Sequence, residues 1–279
     1  MRAIAISHGQ PVAAGVMEAR LRYRASKLFA LRDLPLGGAA VPAGWRIALP
    51  ADPDAPLDDF ATSPRHVVAS RLRRGSGPLH AAARDALRSL ASGEHMPYWG
   101  LLWPSGQALA EVLLAIREDA WRGARGLELG CGLGYTAAAA VAAGIDLMAA
   151  DCYPEALLFC RYNVLRNTGR IPRTYLLDWR TVAGRALCLA LAPVSVLLAA
   201  DVLYEEEDIE PLLDLVPRVV QAEGTFWLAE PGRRVSRTFV AAALARGWKD
   251  EERVFEREWP PDEDTVRVSV HRFTLPPGE

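Results

Sequence analysis

Lysine is nearly missing from this sequence: Lys27 and Lys249 are the two among 32 basic residues, and arginine supplies the rest. The bias reads as genome composition and carries little mechanistic weight. Cysteine is scarce as well. Cys131, Cys152, Cys160 and Cys188 form no C-x-x-C pair and stand at no zinc-type spacing from histidine, so neither a disulfide framework nor a metal site is indicated. Reduced, buried thiols are expected, with no metal. The net charge is only −2 at pH 7, which excludes a global pull toward nucleic acid or an anionic membrane. The opening MRAIAISHGQPVAAG lacks the long apolar core of a signal peptide, and no apolar run reaches spanning length without a charge or breaker. A cytoplasmic location without membrane association is the expectation.

With 279 residues, 51% of them hydrophobic, the chain can bury a substantial core. Residues 1–93 read as an irregular, partly helical lobe and a candidate substrate cap. LPLGGAAVPAGWRIALPADPDAPLDDFATSP is dense in Pro, Gly and Asp around a strand-like WRIAL, and VMEARLRYRASKLFALRDL has helical apolar spacing at Val16, Leu21, Leu28 and Leu31. GPLHAAARDALRSLASG predicts a helix with Leu79, Ala83, Leu87 and Leu90 inward, Arg84 and Arg88 outward, and Gly93 as its C-cap. RLRRG, Arg71 to Gly75, is a local basic cluster that reads as a solvated linker.

Residues 94–279 change character. From Arg125, short apolar runs alternate with amphipathic stretches: RGLEL, GYTAAAAVAAG, IDLMAAD, PEALLFCRYNVLRN, RTYLLDW, VSVLLAAD, EEDIEPLLDLVPRVVQAEG, TFWLAE and RRVSRTFVAAALARG. Such alternation predicts an α/β, doubly wound, mostly parallel sheet. EERVFEREW and TVRVSVHRFTL follow without a helix between them and predict an antiparallel pair at one edge.

LELGCGLGYTAAAAVAAGIDLMAAD carries the strongest chemical signal. Its glycines, Gly130, Gly132 and Gly134, are spaced G-x-G-x-G, with Tyr135 where the third glycine of a dinucleotide loop would stand, and no Gly-Lys-Ser/Thr of a phosphate loop follows. Glu128, two residues before the first glycine, suits a cationic or amino end. Asp151, closing the next strand, suits the two hydroxyls of a ribose. A nucleoside with an amino-acid tail satisfies both, which points to S-adenosyl-L-methionine.

On these residues the chain from about Met96 onward resembles the class I, seven-β-strand methyltransferases with their Rossmann-like sheet. LELGCGLG is similar to that family's first motif, and LLDWR, with Asp178 and Trp179, to its adenine-binding segment. MPYWGLLWPSGQALAEVLL, with its W-x-x-x-WP-x-G, and ADVLY, with its D-x-x-Y, resemble the lysine-directed protein methyltransferases that include the electron-transfer flavoprotein β-subunit methyltransferases. The resemblance implies cofactor contacts from Trp103, Glu128, Gly130, Gly132, Gly134, Asp151, Asp178, Trp179 and Ala200. It also implies an acceptor slot shaped by Trp99 and Tyr204, with Asp201 recruiting the cation and assisting its deprotonation.

The acceptor implied is a protein lysine, with a small-molecule N- or O-acceptor as the rival. The absence of an N/D-P-P-Y/F/W stretch disfavours a nucleic-acid substrate. A non-catalytic S-adenosylmethionine-binding partner and a dehydrogenase stand further off, the latter opposed by the glycine spacing. Oligomeric state leaves no trace in the sequence.

Overall fold

The computed structural model describes residues 11–52, 55–56, 77–91, 97–116, 118–258 and 265–276. Gly93, Met96 and the RLRRG cluster lie outside them. The N-terminal segment forms α1 (Pro11–Ser26) and an antiparallel hairpin of β1 (Leu31–Pro35) and β2 (Arg46–Pro50), the second strand matching the WRIAL expectation. The apolar spacing expected of α1 is only partly realised. Leu21 is buried with Ala25, but Val16 and Leu28 face solvent and Leu31 already opens β1. The helix stops at Ser26 because a short link must turn the chain into the hairpin, which ends the 3.6-residue period there. Helix α2 (Pro78–Ala91) buries Ala83, Leu87 and Leu90 as expected, whereas Leu79, in the unpacked first turn, is exposed.

The remaining elements are α3 (Pro104–Ala115), β3 (Arg125–Leu129), α4 (Tyr135–Ala142), β4 (Asp146–Asp151), α5 (Pro154–Thr168), β5 (Arg173–Leu176), α6 (Val182–Leu191), β6 (Val194–Ala200), α7 (Ile209–Val219), β7 (Val220–Glu230), α8 (Arg234–Ala245), β8 (Lys249–Glu258) and β9 (Thr265–Thr274). They build a seven-stranded sheet in the order β5-β4-β3-β6-β7-β9-β8. The strands β3 to β7 run parallel, β9 pairs antiparallel with β7, and β8 with β9. The doubly wound sheet and its antiparallel edge are thus as read from the sequence.

Two local readings needed correction. VAGRALCLAL, between RTYLLDW and VSVLLAAD, forms a further helix, α6, started by Thr181, whose hydroxyl accepts from the Gly184 N–H. The helix expected to reach Gly224 ends at Val219, because Val220 onward is claimed by pairing with β6. Strand pairing there outcompetes the local helical pattern.

Apolar side chains fill both faces of the sheet. The N-terminal hairpin joins this core through Trp45, Ile47 and Leu49. Asn163 and Asn167, four residues apart on α5, receive its free edge. The Ala48 N–H donates to Asn163 Oδ1 at 2.8 Å and the Ala48 carbonyl accepts from Asn163 Nδ2 at 2.9 Å. Asn167 repeats the pattern with Arg46. Asn163 Nδ2 also donates to the Leu133 carbonyl, in the glycine loop, at 2.9 Å. All four cysteines are free; Cys131, Cys160 and Cys188 are buried, and burial pushes the Cys188 thiol up to about 12.

Candidate active site

In the strand order, β4 lies on one side of β3 and β6 on the other, so a crevice opens beyond their carboxyl ends, where open α/β sheets collect ligands. A cavity of about 390 Å³ occupies it. Every residue assigned from the sequence lines it: Trp99, Trp103, Glu128, Gly130, Gly132, Gly134, Asp151, Asp178, Trp179, Ala200, Asp201 and Tyr204. Among the described residues, its wall begins at Tyr98.

The glycine loop is tight for steric reasons. Gly132 and Gly134 have φ of 48° and 81°, in the left-handed region. A Cβ on Gly134 would sit 2.6 Å from Cα of Cys160 on α5, and one on Gly132 would sit 3.4 Å from the Trp99 carbonyl oxygen. The loop is fixed to Asp151, whose Oδ2 accepts from the Gly132 N–H and Oδ1 from the Tyr153 N–H, each at 2.9 Å. Burial lifts Asp151 to about 6, with those two N–H groups opposing it. Each oxygen keeps a lone pair for a hydroxyl donor.

Glu128 is 2% exposed, and its Oε2 has no hydrogen-bond partner. Burial, reinforced by the Asp151 charge, pushes its carboxyl well above the usual range. A buried acceptor left unsatisfied costs about 1–3 kcal/mol, so the site is built for a donor that arrives with a ligand. The bare glycine cradle, the ribose-type acid and this orphaned acceptor fit S-adenosylmethionine.

Asp178 is held by its neighbours. Its Oδ1 accepts from the Arg180 N–H at 3.0 Å and from Arg180 Nε at 2.8 Å. Its Oδ2 accepts from Arg180 Nη2 at 3.2 Å and from the Ser89 hydroxyl at 2.8 Å. What faces the cavity is a neutralised fork, with the Arg180 guanidinium 5.8 Å from the centre of the Trp179 ring.

Asp201 follows β6 with φ of 56°, a strained position for a side-chain-bearing residue, held by its N–H donating to the Ala229 carbonyl at 3.0 Å. Its Oδ1 accepts from Arg233 Nη1, while Oδ2 is buried without a hydrogen bond. Burial raises its carboxyl, and Arg233 and the neighbouring Ser105 hydroxyl oppose that rise. Tyr204 stacks on Tyr98, with ring centres 6.0 Å apart, and the Arg233 guanidinium lies 4.7 Å from the Tyr204 ring centre. Burial, then the Asp201 charge, drives the Tyr204 phenol far up, so it stays neutral. Asp208 Oδ2 accepts from the Tyr204 and Glu205 N–H groups at 3.0 Å each and so shapes this turn.

The tryptophans divide. The Trp103 indole N–H donates to the Tyr98 carbonyl at 2.9 Å, so it braces the slot. Trp99 packs between Phe29 at 5.6 Å and Phe159 at 5.2 Å, and the ring stacked on Tyr204 is its neighbour Tyr98. Sequence reasoning missed Tyr98, Arg180 and Arg233. A basic pair directly after a parallel strand, as in PGRR after β7, was the available signal for Arg233.

Residues 93–244 match the family described as lysine methyltransferase. The electron transfer flavoprotein beta subunit lysine methyltransferase of Xenopus laevis is 34% identical over 139 residues, 49% of this chain and 53% of that protein. The histone-arginine methyltransferase METTL23 of Mus musculus is 28% identical over 183 residues, 64% and 70% of the two chains. The chain thus spans about half the length of the flavoprotein-directed relatives. Among solved structures, a proposed RNA methyltransferase of Pyrococcus horikoshii superposes with a TM-score of 0.51 at 14% identity, covering 78% of this chain and 99% of that one, a likeness of fold alone.

Proposed function

The chain belongs to the lysine methyltransferase family, and from that premise we propose that it methylates the side-chain nitrogen of a protein lysine with S-adenosylmethionine as donor. The observation that carries the proposal is the buried, unbonded Oδ2 of Asp201, in a cavity wall shared with the stacked Tyr98–Tyr204 pair at the carboxyl end of β6. One free carboxylate oxygen suits a single N–H of an ammonium group. A guanidinium acceptor, as the mouse relative's name implies for that protein, favours a two-oxygen fork.

When bound, S-adenosylmethionine supplies a methyl group on a sulfonium. Gly130, Gly132 and Gly134 leave room for its close approach, Asp151 accepts from ribose hydroxyls, and Glu128 accepts from the amino end. Trp179 with the neutralised Asp178–Arg180 fork lines the adenine side. Tyr98 and Tyr204, stacked on each other with Arg233 over the Tyr204 ring, wall the acceptor slot, and Asp201 orients the acceptor cation. The residues do most of their work by positioning and by excluding water.

Calorimetric titration with S-adenosylmethionine, S-adenosylhomocysteine and NAD, followed by tritiated methyl transfer into a lysate of the source organism, tests this. Binding of the first two with label in a discrete protein band supports it. Label confined to small molecules would replace the acceptor class, and no binding would remove the cofactor assignment.

A further inference from the structure

We propose, resting on the amine-acceptor reading above, that Arg233 is a positioning residue: it holds one oxygen of Asp201, leaving the other for the acceptor ammonium, and its fixed charge drives that ammonium to release its proton.

The two arginine–aspartate pairs in the cavity wall make the case. Arg180 engages Asp178 as a fork, Nε on Oδ1 and Nη2 on Oδ2, and uses up both oxygens. Arg233 meets Asp201 through Nη1 and Oδ1 alone, and Oδ2 stays buried and unbonded. Neutralising a buried acid is best done in the first way. The second way leaves a half-used carboxylate on a residue of the cavity wall.

Arg233 is also held where it stands. It occupies the N-cap position of α8, after a turn in which the Gly232 N–H donates to Glu230 Oε2 at 2.6 Å. Glu230 is tied in turn to His271, Nε2 to Oε1 at 3.6 Å. Stacked over Tyr204, the guanidinium closes one side of the slot while keeping 28% of its side chain exposed.

The charge argument follows from the geometry. A guanidinium does not give up its proton at any physiological pH, whereas an ammonium does. Two cations sharing one carboxylate repel each other, so the acceptor's pKa falls and its neutral amine is populated at lower pH. Its proton passes to water. The freed lone pair then forms the new N–C bond as the C–S bond breaks with its electron pair going to sulfur, and Asp201 stays ionised throughout.

The charged and titratable groups facing this pair are Glu230 from β7, Tyr204 and Glu205 from the loop after β6, and Tyr98 from the turn before α3. Glu128 and Asp151 face it across the cavity from β3 and β4. Glu230 is already committed to His271 and Gly232, and Glu128 and Asp151 lie on the cofactor side.

The test is the pH profile of kcat on the protein acceptor recovered from the lysate labelling, for wild type, Arg233→Gln and Arg233→Lys. Titration with S-adenosylhomocysteine certifies the cofactor half of each variant. In Arg233→Gln the acid limb should move up by about one pH unit, which is about tenfold in rate near pH 7, and the gap should close at alkaline pH. Arg233→Lys keeps the charge and should keep the limb. An acceptor bearing S-(2-aminoethyl)cysteine, a lysine analogue with a more acidic ammonium, should restore Arg233→Gln preferentially.

A uniform loss at every pH, or an unmoved limb, would overturn the proposal, and so would Arg233→Lys behaving as Arg233→Gln. Wild-type protein that binds S-adenosylhomocysteine yet labels no amine would instead fail the reading beneath it.

Discussion

At the carboxyl ends of β3, β4 and β6, Glu128, Asp151 and Asp201 are buried with their carboxyls raised by desolvation, and Glu128 and Asp201 each keep an oxygen without a partner. At the antiparallel edge, β7, β9 and β8 also bury charge but match it with charge of the other sign, although Asp250 Oδ1 is left without a hydrogen bond. His271 lies between Asp250, at 2.8 Å from Nδ1, and Glu230, at 3.6 Å from Nε2. Burial pushes Glu230 up, yet His271, the Gly232 N–H and Ser236 outweigh it and hold it below the usual range. Burial likewise opposes the His271 charge, yet Asp250 and Glu230 carry its proton up to about 9. The edge sets His271 between two acids, whereas Glu128 in the cleft has no cation beside it and Asp201 has one on a single oxygen, and under-satisfied buried acids in a cleft are where a ligand belongs.

The strongest challenge to that contrast is Asp201→Asn. Turnover should fall by about a hundredfold, the scale seen when a reacting group is misplaced, while S-adenosylhomocysteine affinity in calorimetry stays within about twofold, since no cofactor role is assigned to this side chain. Equal turnover would make Asp201 a structural acid like Glu230.

Asp151→Ala should act on the opposite quantity. Each charged hydrogen bond lost is worth roughly 1.5–3 kcal/mol, so cofactor affinity should drop by at least about tenfold, and unchanged binding would dismiss the ribose assignment.

Stability should separate the regions by sign. Glu128, raised in the fold, contributes stability that is lost as pH rises above its unfolded value. Glu128→Gln should therefore stabilise the ligand-free protein at pH 7 by roughly 1–3 kcal/mol in urea melts. Glu230, lowered in the fold, contributes stability that is present at neutral pH and lost in acid, so Glu230→Gln should destabilise by a similar amount. His271, raised to about 9, supports the fold up to its unfolded pKa and loses that support as pH climbs through 9. Its replacement by Gln should flatten that alkaline slope. Two destabilised variants would erase the contrast.

The smallest effect is the acid dependence of cofactor binding. Hydroxyls donate to an ionised Asp151, which protonates near 6, so affinity should weaken below that pH by at most about tenfold per unit. A flat titration from pH 8 to 5 would count against it.

Much of the site was legible because its signals are local. Gly130 to Gly134 and Asp201 come directly after a strand and Asp151 closes one, positions that an open α/β sheet brings to one crevice. The Arg233–Asp201 pair spans 32 residues and forms only because β6 and β7 are neighbours. No window of sequence shows such a bond. The surroundings of Asp178 are only half local: Arg180 stands two residues away, but the Ser89 hydroxyl on the same carboxylate comes from α2, 89 residues off in sequence. The burial of Leu21 and exposure of Val16 and Leu28 depend on where the hairpin docks, which apolar spacing alone does not encode.

Asn163 binds the hairpin at Ala48 and the glycine loop at Leu133 with one fully buried side chain. Order in the loop and order in the hairpin therefore share a free energy, and thermodynamic reciprocity requires each to strengthen the other. A ligand that fills the glycine cradle should slow amide hydrogen exchange at Ala48, on a strand outside the cavity wall, so the hairpin serves as a remote reporter of cofactor occupancy.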